Sequence, residues 1–83
     1  MSDQEKAALL AAGERELGYL KDAMERALQS GKFPLVWDYQ CRYDGAAYML
    51  KELELIDIEE YQARSRALFN RFMEAKYQEA VSP

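Results

Sequence analysis

Histidine is absent from the 83 residues, and cysteine occurs once, at Cys41. The first absence removes the commonest general base and metal ligand, and with it every Ser–His or Cys–His nucleophile arrangement. The second excludes an intrachain disulfide and a cysteine-rich zinc site, and is compatible with a reducing compartment. No apolar run approaches the roughly 20 residues that span a bilayer. The N-terminus, MSDQEKAALLAAG, carries Asp3 and Glu5 ahead of its apolar segment, where a secretory leader would be basic. The expected location is therefore cytoplasmic. Neither a phosphate-cradling glycine loop nor a calcium-loop pattern of acids and glycine is present. Catalysis by this chain, a metal site and a bound cofactor are accordingly not expected.

Charge of either sign is also limited. The formal net charge is −4, with acids and bases interspersed. That is too acidic for a sequence-independent grip on a phosphate backbone and too mild for a nucleic-acid mimic. Apolar residues make up 49% and charged residues 31%, a balance that excludes intrinsic disorder. A chain of this length forms one domain, residues 1–83. Small domains bury a limited share of their surface and are marginal unless packed well or joined to another subunit.

Punctuation is sparse, with four glycines and two prolines. The clearest break is QSGKFP, residues 29 to 34, where Gly31 suits a left-handed C-cap and Pro34 the first turn of the next helix. A second break is expected at ELELIDIEEYQ, where Asp57 can N-cap a helix with Glu60 three residues on. That stretch has no glycine, so a tight turn, a bend and a continuous helix all stay open. The three segments between these breaks are helical by period, and neither strict alternation nor hairpin turn chemistry occurs. The predicted fold is all-α: a three-helix bundle with helices near 3–30, 34–56 and 58–80, a frayed tail at 81–83, and dimerisation as a way to complete its core.

Ser2 and Glu5 make a capping signature for the first helix. Its apolar stripe runs Leu10, Gly13, Leu17, Leu20, Met24, Ala27, Leu28, the spacing of a bundle seam. Gly13 on that seam either admits a neighbouring helix closely or marks a weak point between residues 13 and 18. The third helix is one-sided: Ile58, Tyr61, Ser65, Leu68, Phe69, Phe72 and Ala75 face one way, and Glu60, Arg64, Arg71, Glu74 and Gln78 the other.

The second helix differs. Placed at 100° per residue, Leu35, Tyr39, Tyr43, Ala46, Met49, Leu50 and Leu53 form a broad primary stripe. Trp37, Cys41, Tyr48 and Leu55 form a second, narrower one nearly opposite. Two apolar sides require either that the other helices sandwich this one or that the Trp37 side contacts another chain. Trp and Tyr are enriched at interface hot spots, and burying both contributes several kcal/mol at roughly 25 cal/mol per Å². In so short a chain the second copy is the first-choice partner. Cys41 is read as a small apolar residue, since no neighbouring base activates its thiol.

The only basic cluster is ARSRALFNR, with Arg64, Arg66 and Arg71. It has the look of a DNA-reading helix, but Glu60 stands four residues before Arg64 and the chain is acidic, so a salt-bridged face is favoured. The function expected from sequence is a non-enzymatic protein–protein interaction module. It would bind another protein or a second copy of itself as a regulator, inhibitor or assembly factor, as small bacterial or phage accessory proteins do. Two alternatives stand beside it: a nucleic-acid-binding regulator using Arg64, Arg66 and Arg71, and a small-molecule-binding or enzyme-subunit role for a tyrosine-rich pocket.

Overall fold

Ser2 opens the first helix by accepting the Glu5 backbone N–H on its hydroxyl, 3.1 Å away. From there the computed structural model, which describes residues 1–81, runs through three helices: α1 (Asp3–Gln29), α2 (Phe33–Glu52) and α3 (Ile58–Val81). The all-α three-helix bundle is the observed fold. Ser82 and Pro83, two residues of the expected tail, lie outside the described residues; Val81, the third, closes α3.

The turn after α1 follows from Gly31. Its φ of +68° is left-handed, a conformation glycine adopts without the Cβ clash that other residues meet. The Gly31 N–H donates to the Leu28 carbonyl at 3.1 Å and the Lys32 N–H to the Ala27 carbonyl at 2.9 Å, the paired bonds of a Schellman motif. Pro34 then occupies the first turn of α2, where its missing N–H costs nothing.

The second break corrects the expected end of α2 at residue 56. The helix stops at Glu52, and residues 53 to 57 form a tight turn of the same type. Glu54 takes the left-handed position with φ +60°. Its N–H donates to the Lys51 carbonyl and the Leu55 N–H to the Leu50 carbonyl, both at 2.9 Å. Leu55 is therefore not on α2 at all. It packs half-buried against the core, the apolar contact that accompanies such a turn. Asp57 caps α3 as expected, accepting the Glu60 N–H at 2.7 Å.

Gly13 meets Leu50 of α2, so α1 and α2 run antiparallel and approach closely there. A Cβ on Gly13 would lie 2.6 Å from the Leu50 Cδ2. Close approach is thus the reason for this glycine, and α1 continues unbroken through residues 13 to 18. The core is the line Leu17, Leu20, Ala23, Met24 and Ala27 of α1 against Val36, Tyr43, Ala47 and Leu50 of α2, closed by Ile56 and by Leu68 of α3. Both long helices overhang the shorter α2, α1 at its start and α3 at its end, which stretches the molecule to 55 × 21 × 13 Å.

Candidate interaction surface

The buried line of α2 is Val36, Gln40, Tyr43, Ala47 and Leu50. This corrects the expected primary stripe: Leu35, Met49 and Leu53 are exposed, while Tyr39 and Ala46 are half-buried. The inward direction is turned by about one residue toward the side on which Asp44 bonds Tyr61 and Ser65 of α3. Val36 and Ala47 on that line are fully buried.

Trp37, Cys41 and Tyr48 lie along one flank of α2, the flank that α3 borders. The Trp37 ring packs against Phe72 with centroids 5.9 Å apart, and Phe72 also meets Phe33 at 6.4 Å. One end further, Tyr48 meets Tyr61 edge-on at 5.7 Å. The Lys51 ammonium sits 4.5 Å over the Tyr48 ring, and that of Lys76 4.4 Å over Phe33. Trp37 thus has one side against α3 and stays 51% exposed, while Tyr48, in contact with both Tyr61 and Lys51, stays 44% exposed. Cys41 between them is exposed. The flank is thus half-covered by α3 and half exposed.

Between α2 and α3 the polar groups converge inward. Asp44 accepts the Tyr61 hydroxyl at 3.1 and 3.2 Å and also the Ser65 hydroxyl. Partial burial, and then the bond to the Asp44 carboxylate, push the Tyr61 phenol above its usual range. Beside this cluster a shallow groove is lined by Gln40, Tyr61, Gln62, Ser65, Arg66 and Phe69. Gln40 is only 9% exposed, and its Oε1 has no hydrogen-bond partner. Neither Asp44 nor Gln40 stands out in the apolar pattern of α2. The signal for Asp44 was its place one turn from Gln40 and Tyr48, directly across from Ser65 and Tyr61 once α2 and α3 are paired antiparallel. Gln40 carried no such signal.

The three arginines do not form one free basic face. Arg64 donates to Glu14 of α1 at 2.9 and 2.6 Å and to Glu60 at 2.6 Å. These bonds hold the Glu14 carboxyl below the usual carboxylate range and raise the guanidinium further. Arg71 reaches Glu25 of α1 at 3.0 Å. Arg66, two residues from Arg64, stands on the other side of α3 and is exposed. Nor do the tyrosines gather. Tyr43 is in the core, where burial raises its phenol pKa; Tyr48 and Tyr61 pair at the flank; Tyr19 and Tyr77 are exposed far apart on α1 and α3.

Among the described residues no group of three or more acidic or cysteine side chains is placed to hold a metal ion, and no helix is long and apolar enough to cross a membrane. Comparison with protein-family models, with curated proteins and with solved structures returns no match.

Proposed function

We propose that this chain is a non-enzymatic helical interaction module that self-associates through the outer side of α2 and acts on another protein as a regulator, inhibitor or assembly factor. The observation that carries the reading is Trp37. Its inner side is fixed by Phe72, so the indole is a rigid anchor, and its outer side is free. A pre-positioned aromatic loses little rotamer freedom on binding, which is what makes such rings effective anchors.

Of the three arginines of the nucleic-acid alternative, Arg64 and Arg71 are tied to α1 and Arg66 faces another side of α3, which disfavours a shared basic face.

Sedimentation equilibrium of the purified chain tests the proposal. The expected result is a reversible dimer. The double variant Trp37→Ser/Tyr48→Ser should weaken it at least ~30-fold, the equivalent of a hot-spot loss of about 2 kcal/mol, with helical circular dichroism retained. A wild-type chain that stays monomeric into the millimolar range would remove self-association. Loss of helicity in the variant would assign both rings to the monomer core.

A further inference from the structure

Gly45 has no task inside the chain. A Cβ placed on it would meet nothing within 4 Å, and its backbone is not left-handed. A glycine in the middle of a helix weakens that helix, so its presence calls for a reason. Gly13 and Gly31 have theirs in Leu50 and in a left-handed turn. Gly18 on α1 is as open as Gly45, but its ridge neighbours are the charged Glu14 and Asp22. Gly45 lies on the exposed side of α2, one turn beyond Cys41 and two beyond Trp37. Residues four apart form one ridge along a helix. The ridge Trp37–Cys41–Gly45 thus has the largest side chain at one end, none at the other, and a small one midway.

We infer that two copies of the chain pair antiparallel along α2 about a two-fold axis at Cys41, with Trp37 of each copy seated on Gly45 of the other. This rests on the self-association reading and names its register. A two-fold interface must be self-complementary, residue i meeting j while j meets i. Trp37 and Gly45 are each four residues from Cys41, so one rotation brings both knob-and-hole pairs into register and sets the two Cys41 side chains side by side. A foreign partner would have to bring its own bulge for Gly45 and its own gap for Trp37; a second copy carries both.

Charge permits the approach. The acids on the outer side of α2 are matched within the helix, Asp38 with Arg42 at 3.1 Å and Glu52 with Lys51 at 2.6 Å. Two chains of net charge −4 therefore meet across a locally neutral face.

Two measurements on the full chain decide it. Diamide, which takes up the two protons and two electrons released when two thiols join, should convert wild-type dimer to a Cys41–Cys41 disulfide-linked species, and Cys41→Ser should abolish that species. Gly45→Gln should leave the helices intact and raise the unfolding temperature measured at concentrations where the chain is monomeric. The same variant should weaken the dimer at least tenfold in sedimentation and suppress the cross-link. A dimer that persists with unchanged affinity in Gly45→Gln and gives no cross-link overturns this register while leaving self-association in place. Absence of any wild-type dimer overturns both.

Discussion

At the scale of single residues, Gln40 and Asp44 show opposite fates for polar groups on neighbouring turns of α2. Asp44 is half-buried with two hydroxyls donating to it, so its desolvation is offset. Gln40 is more deeply buried and its Oε1 receives no donor. An unmade hydrogen bond of this kind costs about 1–3 kcal/mol. Methionine keeps the unbranched shape of glutamine without the amide. Gln40→Met is therefore expected to stabilise the monomer by about 1 kcal/mol, read as a higher urea midpoint at unchanged slope. A lower midpoint would show that the amide makes bonds that methionine cannot replace.

At the scale of elements, the instructive one is α2, whose end is set by a residue of the wrong type. Holding Glu54 at φ +60° works against its Cβ, a strain of roughly 1–2 kcal/mol that glycine does not carry. Glu54→Gly is expected to raise stability by about 0.5–1 kcal/mol after the entropy of the freer unfolded chain is counted, measured by thermal or urea unfolding. The same substitution shows why this boundary was hidden. The ends of α1 and the start of α3 are written in Ser2, Gly31 and Asp57, each a residue whose chemistry fits its position, and those limits were legible to within one residue. The end of α2 carries no such letter, so the helix was extended four residues too far and Leu55 was placed on a face it never joins. The register of α2 was lost for a different reason. Large apolar residues dominate any periodicity, yet the line between two neighbouring helices admits Val36 and Ala47 and excludes Leu35, Met49 and Leu53. Trp37, Cys41 and Tyr48 were legible as a common flank because their spacing alone puts them there. Which part of each ring α3 covers depended on the pairing of α2 with α3, which no local pattern encodes.

At the scale of the whole molecule, α1 and α3 are joined in a way the other pairs are not. Arg64 reaches Glu14 and Arg71 reaches Glu25, so the two helices run parallel with α2 antiparallel to both. Their backbones meet at few points, and the ion pairs span the gap above Tyr43 and Leu68. Closure of this side is therefore partly electrostatic, and it has a pH signature. The Arg64 bonds lower the Glu14 carboxyl in the folded chain relative to the unfolded one. A group shifted in that sense stabilises the fold fully above its unfolded titration range, and the contribution disappears as pH falls through that range and through the lower folded pKa. Both side chains are partly exposed, 25% for Arg64 and 42% for Glu14, so solvent screening keeps the coupling small, about 0.2–1 kcal/mol. A double-mutant cycle of Glu14→Gln and Arg64→Gln should show that coupling at pH 7, a reduced value in 1 M salt, and a declining value as pH falls through the carboxylate range toward 2. An unchanged coupling at pH 2 would mean that the two side chains communicate through packing, and that α1 and α3 are held by the core alone.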